Sequence, residues 1–386
     1  MDFIYFHSGH KIGDYVDMYK RTCLHWAIIK RAPNDLIKSI LKLNRDATNM
    51  KDYIGRTPIH FAVEYSSDEI VYELLKITDK KVTEWRDCEN MRCLLSEAIV
   101  NGRSPHIIDS ILQADIKQID STDIHEHTPL VIFFRQNLGK LLSIVKSNGM
   151  FKSQVNVDDL VEIASILLKA EYTTASGKEP PDHESILNMA IANTSTPVQF
   201  VEMLIREYPE QTEMYQNGNY PIHVASMCND RLDCYKCDAC GCSDMNSRSF
   251  YFHQDGKARI LCKDCIGHAE KSCYVEIPPC DMNTSIIRSL LKKSKQDSSR
   301  ENTNKELPLH LAISAGRHWS NGGVKELVEA YPLALTVIDP STMLYPFALA
   351  ASRDIFIPGT SSLDQLNTVY ELFRRWPLEN RKSMLA

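Results

Sequence analysis

The chain has 386 residues, 43% of them hydrophobic and 24% charged, with 17 Pro and 15 Gly, a composition that excludes disorder as a whole. Its 44 Lys and Arg against 50 Asp and Glu leave a formal charge of -6, so no global basic field gathers nucleic acid or anionic membrane around it. The N-terminal Met-Asp-Phe-Ile-Tyr-Phe-His lacks the basic start of a signal peptide, no apolar run is long enough for a membrane helix, and nine of the twelve cysteines crowd between Cys228 and Cys280 rather than spreading as a secreted disulfide scaffold. A soluble intracellular protein in a reducing compartment, cytoplasm or nucleus, without membrane insertion, is expected.

In chain order, residues 1–19 read as a lead-in. The phrase Arg21-Thr22-Cys23-Leu24-His25-Trp26-Ala27 then returns as Arg56-Thr57-Pro58-Ile59-His60-Phe61-Ala62, the two histidines 35 residues apart, and self-similarity at this period means stacked units. Further copies are Asn219-Tyr220-Pro221-Ile222-His223-Val224-Ala225 and Glu306-Leu307-Pro308-Leu309-His310-Leu311-Ala312. Weaker echoes stand at Thr128-Pro129-Leu130, Ser185 to Ala190 and Tyr345 to Ala350, making seven, or eight with Cys93-Leu94-Leu95-Ser96-Glu97-Ala98.

Each phrase is built to start a helix, because Thr accepts from an otherwise orphaned amide and Pro suits the first helical position, where no donor is needed. A second helix is predicted shortly after each phrase by apolar residues at helical spacing: Leu36, Ile40, Leu41; Ile70, Leu74, Leu75; Ile107, Ile111, Leu112; Val201, Leu204, Ile205; Val324, Leu327, Val328; Val369, Leu372, Phe373. Turn-forming clusters such as Asp52-Tyr53-Ile54-Gly55, Asn217-Gly218 and Asp339-Pro340-Ser341 precede several phrases.

Gly55-Arg56-Thr57-Pro58-Ile59-His60-Phe61-Ala62 resembles the ankyrin-repeat signature. The resemblance covers about 20 to 380 and implies a mainly α fold, an ankyrin-type solenoid of about seven or eight helix-turn-helix repeats with projecting loops, binding another protein on its concave face. His25, His60, His223 and His310 occupy the position that the family uses for an inter-repeat hydrogen bond. Two features depart from the pattern: Arg92-Cys93-Leu94-Leu95 stands where Thr-Pro-Leu-His is expected, and most copies lack the closing Gly-Ala-Asp loop.

The repeats are expected over 20–228, with an irregular insertion at about 146–184, and again over 284–386. Within the irregular stretch Val157-Asp158-Asp159-Leu160 opens an apolar run through Ile163, Ile166 and Leu167, and 173–184 reads as loop. A second break, 229–283, separates the phrase at Pro221 from its own second helix, Ile286 to Leu291, and holds the cysteine cluster.

There, Cys237-Asp238-Ala239-Cys240 and Cys262-Lys263-Asp264-Cys265 form two Cys-x2-Cys pairs 21 residues apart, the spacing of a four-thiolate zinc site. A tight turn aims both sulfurs of each pair at one ion. Gln254-Asp255-Gly256-Lys257 between Phe250-Tyr251-Phe252-His253 and Arg259-Ile260-Leu261 predicts a β-hairpin between the knuckles. A fifty-residue piece buries too little apolar surface to order itself, and structural zinc makes up the difference. Four thiolates leave no open position for catalysis. The pattern resembles treble-clef or ribbon-type zinc fingers, with a helix from near Cys262 through His268. Cys234 and Cys237 also form a Cys-x2-Cys pair, so Cys234, Cys242, His253, His268, Cys273 and Cys280 are candidate ligands of a second ion. Six basic against five acidic residues over 234–273 make no phosphate-binding footprint, which disfavours nucleic acid.

Phosphate-loop, dinucleotide, nucleophile-elbow and His-Glu-x-x-His motifs are absent. His125-Glu126-His127 reads as a solvated turn, and Cys23 and His25 sit on a packing phrase. The chain is therefore expected to be a non-enzymatic protein-protein interaction scaffold. The alternative is a regulatory adaptor whose zinc finger recognises ubiquitin machinery or nucleic acid; a hydrolytic enzyme is the third reading. Candidate partner contacts are the turn tips Asp52, Tyr53, Glu89, Asn90, Tyr215, Gln216 and Asn217, which lie outside the packed phrases.

Overall fold

In a computed structural model of the chain, the described residues are 16–78, 86, 91–146, 157–177, 185–228, 239–240, 250–253, 260–266, 274–277, 282–320, 322–352 and 362–377. The described chain is mainly helical. All eight phrases open a helix: α1 (Cys23–Ile29), α3 (Pro58–Tyr65), α5 (Leu94–Val100), α7 (Pro129–Lys146), α9 (Ile186–Ala192), α11 (Pro221–Met227), α13 (Pro308–Ser314) and α15 (Pro346–Ala351). Each is followed by a second: α2 (Asn34–Leu43), α4 (Asp68–Ile77), α6 (Pro105–Ala114), α8 (Val157–Ser176), α10 (Val198–Glu207), α12 (Met282–Lys293), α14 (Val324–Ala330) and α16 (Ser362–Arg375).

The chain divides into two compact units, Met1–Gln136 with Ser153–Pro180, and Asn137–Lys152 with Pro181–Ala386. Within the first, α1, α3 and α5 pack in succession, and α2, α4, α6 and α8 form a second row behind them. Within the second, α9, α11, α13 and α15 make one row, α10, α12 and α14 the other, and α16 closes on α15. Burial explains the rows: Leu24, Ile28, Ile59, Ala62, Ile70 and Leu74 are all fully excluded from solvent, and each large apolar side chain so buried stabilises by about 1.5–3 kcal/mol.

Two expectations need correction. The buried seam of α2 is Ile37 and Leu41, whereas Leu36 is 52% exposed, because the helix is rotated by one position relative to the apolar spacing chosen from sequence. The irregular stretch holds a helix that continues through Ser176 rather than ending at a loop beginning at Thr173. There α8 packs against α6 and the Ile116–Asp120 turn, taking the next place in the second row, and this packing outweighs the weak helix propensity of Thr and Ser.

Three further regularities recur between successive helix pairs within the units. Among the described residues a 3-10 turn follows five of the second helices, at Asp46–Asn49, Ile116–Asp120, Pro209–Glu213, Lys295–Ser299 and Pro332–Thr336. Sequence reasoning missed it, although the recurring Tyr208-Pro209 and Tyr331-Pro332 were its signal. In the turns before phrases, one side-chain oxygen accepts two backbone N–H groups. Asp17 takes those of Tyr19 and Arg21, Asp52 those of Ile54 and Arg56, Asp123 those of His125 and His127, and Asn302 those of Asn304 and Glu306, all at 2.8–3.0 Å. The residue three after each acceptor has a left-handed backbone: Lys20 (φ 58°), Gly55 (φ 91°), Glu126 (φ 63°) and Lys305 (φ 62°).

The third tie is the phrase histidine. His223 Nδ1 accepts the N–H of Tyr220 (3.2 Å), which puts the ring proton on Nε2, and Nε2 donates to the Arg300 carbonyl of the next pair (3.1 Å). His310 repeats this with Leu307 (3.2 Å) and Val337 (3.1 Å), and His25 with Thr22 (3.0 Å) and Arg56 (3.4 Å). At position 93 the missing Thr is replaced in its task by Cys93, whose Sγ accepts the Ser96 N–H at 3.5 Å, so α5 begins on schedule.

The ends of the first-row helices are held by arginines from the following pair. Arg103 donates to the carbonyls of Val63 (2.7 Å) and Ala62 (3.2 Å) at the end of α3 and pairs with Asp68 (3.0 Å). Arg317 likewise donates to the carbonyls of Ala225 (2.6 Å) and Cys228 at the end of α11.

Candidate metal centre

Residues 229–281 separate α11 from α12 in the sequence, and those two helices pack together despite the separation. Three strands are described in this stretch: β1 (Phe250–His253), β2 (Ile260–Cys262) and β3 (Tyr274–Ile277), all antiparallel, in the order β2-β1-β3. Phe250 pairs with Cys262 and Phe252 with Ile260, the hairpin that the Asp255-Gly256 spacing predicts; the turn residues themselves lie outside the described residues. The third strand was not anticipated. Its signal was the alternation Tyr274-Val275-Glu276-Ile277, rich in residues that favour strands.

β2 ends at Cys262, which is fully buried along with Ile260, and the chain then turns at the exposed Lys263 and Asp264. The N–H of Cys265 donates to the carbonyl of Cys262 at 3.1 Å, closing that turn. The described part of the helix predicted from Cys262 to His268 is a turn over Lys263 to Cys265 followed by 3-10 backbone at Ile266; His268 is outside the described residues.

The Sγ atoms of Cys240, Cys262 and Cys265 lie within 4.8 Å of one another, and Cys240 Sγ stands 3.7 Å from Cys262 Sγ. A disulfide needs about 2 Å. Sulfurs at about 2.3 Å from a tetrahedral ion stand roughly 3.8 Å apart, so the observed separation is compatible with two thiolates on one metal as well as with two thiols in contact. The donor set fits: three thiols converge, one exposed, one half-buried and one buried, and the group could hold a metal ion. Cys237, the fourth predicted ligand, lies outside the described residues, as do Cys234, Cys242, Cys273 and Cys280; His253 is described only as the end of β1.

The stem of this stretch is fastened by the segment after α13. Arg317 grips the carbonyl of Cys228, where the chain departs, and also donates to the Gly322 carbonyl at 3.1 Å. The N–H of Gly322 in turn donates to Thr284 Oγ1 at 2.9 Å, just after the chain returns. A Cβ on Gly323, whose φ is 84°, would stand 2.5 Å from Ile287 Cδ1, so this close approach requires glycine.

Of the residues predicted to touch a partner, Tyr53 and Tyr215 are exposed, at 60% and 47%. Asp52 is not a tip but a buried anchor, 3% exposed: its carboxylate accepts the two backbone N–H groups described above and pairs with Arg21 at 3.4 Å. Replacing Asp52 with Ala should destabilise the first unit by about 2–3 kcal/mol, since two N–H groups and a guanidinium lose their acceptor, and urea titration would read the loss. Gln216 is half-buried, with Oε1 accepting the Ser185 N–H at 2.6 Å at the start of α9. Asn217 is exposed with φ 49°, and Glu89 and Asn90 lie outside the described residues.

The His125-Glu126-His127 turn is only partly solvated. His127 is 9% exposed, covered because Arg135 of α7 reaches back to its Nε2 at 2.5 Å, while Asp123 lies 3.6 Å from its Nδ1. Burial pushes the Asp123 carboxyl up, but hydrogen bonds from the His127 ring and from the N–H groups of His127 and His125 outweigh it and hold the group down to about 2. Burial raises the thiols of Cys23 and Cys93, which keeps them protonated and poor as nucleophiles.

Among the described residues no helix is long and apolar enough to cross a membrane. No protein-family model matches the chain, and no curated protein matches it.

Proposed function

We propose that the chain is a non-enzymatic ankyrin-type scaffold that binds a partner protein across its first-row helices and turns, with a structural zinc module inserted between α11 and α12. The observation that carries this reading is the tie repeated from pair to pair, in which a phrase histidine donates to a carbonyl of the next pair at 31, 77 and 27 residues' separation. The bond uses these rings for architecture, and repeated pairs of this kind present an extended surface over which weak contacts add. The thiol geometry supports zinc, and a fourth ligand at Cys237 would complete a closed tetrahedral site with no position left for substrate.

The test is affinity capture from the source cell with the full chain and with residues 229–283 deleted. Retention of the same partner by both proteins is expected; loss on deletion would transfer recognition to the module. That second reading, an adaptor that recognises ubiquitin machinery or nucleic acid through its finger, is favoured by one feature, the exposed knuckle at Cys240, Lys263 and Asp264.

A further inference from the structure

Four cations gather on one face of the first two helix pairs, in a chain whose net charge is -6. The Arg21 guanidinium lies 5.5 Å from the Trp26 ring of α1 and 5.3 Å from the Phe61 ring of α3, bridging the two helices. Arg56 stands 5.6 Å from the Phe61 ring as well. One turn further along, Lys30 sits 5.4 Å over Trp26 and Arg31 sits 5.9 Å over Tyr65, itself stacked on Phe61. At the opposite end the exposed rings of Tyr19 and Tyr53 meet at 5.6 Å.

The charges are not equally spent. Arg21 pairs with Asp52 and Arg56 with Glu64 (3.3 Å), whereas Lys30 and Arg31 are exposed, and among the described residues no carboxylate forms an ion pair with either. Arg31 also carries a second, independent mark. It has φ 54°, and the corresponding residue after α5 is Gly102 (φ 63°) and after α13 is Gly316 (φ 78°). The three places are equivalent by hydrogen bonding, since Arg31, Gly102 and Gly316 donate to Ile28, Ile99 and Ile313 at 2.9–3.0 Å. A side chain is thus held where the two equivalent turns use glycine, which fixes the base of Arg31 at the end of α1.

We propose that the α1–α3 face docks a short acidic segment of the partner protein, its carboxylates on Lys30 and Arg31 and its apolar side chains against Trp26, Tyr65 and the Tyr19–Tyr53 pair. This rests on the scaffold reading above and names the partner's chemistry. Arg, Trp and Tyr are the side chains that most often dominate binding energy, and cations resting on rings retain their attraction for carboxylates. The eight residues of α3 run about 12 Å, the reach of roughly four residues of extended peptide. Nucleic acid fits less well. Two uncompensated charges, Lys30 and Arg31, fall short of a phosphate-tracking stripe.

The experiment uses the full chain and fluorescence anisotropy of a labelled peptide, Glu-Asp-Glu-Tyr-Asp-Glu, beside its Gln/Asn counterpart and a single-stranded RNA hexamer. The acidic peptide should bind at least about tenfold more tightly than the neutral one, with the difference shrinking in high salt. The double variant Lys30→Glu/Arg31→Glu, at exposed positions, should lose about tenfold in affinity at unchanged Tm. Arg31→Gly should keep or raise Tm while weakening the peptide, a pairing that a merely structural arginine would not produce. Equal binding of both peptides, no binding up to about 1 mM, unaltered affinity in the variants, or tighter binding of the RNA would each overturn the proposal. Were the peptide to fail while partner capture survived deletion of 229–283, the patch would fall and the scaffold would stand; failure of capture as well would remove both.

Discussion

Replacing Cys262 with Ser should, on the proposed zinc site, abolish metal binding and unfold the strand module while leaving the helix rows intact. Cys262 is fully buried at the end of β2, its sulfur 3.7 Å from that of Cys240, and Ser offers no thiolate to replace it. Closed zinc sites contribute an apparent ~10–16 kcal/mol to small modules near neutral pH, more than three short strands supply by themselves. Elemental analysis should therefore find zinc in the wild-type chain and none at this site in the variant. Hydrogen exchange should show protection lost over 250–277 and kept in α11 and α12. A wild-type protein purified without zinc under reducing conditions, or a variant that keeps its full metal content, would reject the site.

Mild acid should weaken the fold through its phrase histidines. Burial lowers His25 and His223 from 6.5 to about 4, and it lowers His310 as well. These rings fold neutral, so between pH 6.5 and about 4 the unfolded chain binds more protons than the folded one. Stability is then complete above pH 6.5 and is lost as pH falls toward 4, by about 2 kcal/mol at pH 5 for each of His25 and His223. In the second unit part of this is offset, because burial pushes the carboxyls of Glu202 and Asp297 up and their protonation runs in the opposite sense. The first unit, with His25, should show the slope most clearly. Urea midpoints at pH 7 and pH 5, with His25→Asn as the variant that flattens the dependence, provide the measurement. Identical midpoints at the two pH values would contradict the assignment.

The helix starts were legible because their chemistry is local: a capping side chain, a proline at the first position and a histidine three residues after the cap act within one turn. The thiol cluster was legible for the same reason, as two residues between cysteines constrain a single turn. What escaped depends on how the chain closes on itself in three dimensions. Asp52 looks identical in sequence whether it faces solvent or collects the N–H groups of Ile54 and Arg56, and only closure of the turn decides. His127 is buried by Arg135, which reaches it from eight residues further along. The end of α8 was hidden by Thr173 and Ser176, whose hydroxyls donate back to the carbonyls of Lys169 (2.8 Å) and Tyr172 (2.7 Å) inside a helix that its neighbour α6 holds in place.

The grip of Arg317 and Gly322 on Cys228 and Thr284 means that the inserted strands hang from a loop whose mouth is cinched by residues downstream of it. A nascent chain therefore completes every cysteine before it possesses the buckle. A protein truncated after α12 would carry all the thiols and still lack the fastening, so that only the packing of α11 on α12 would hold the two ends of the loop together.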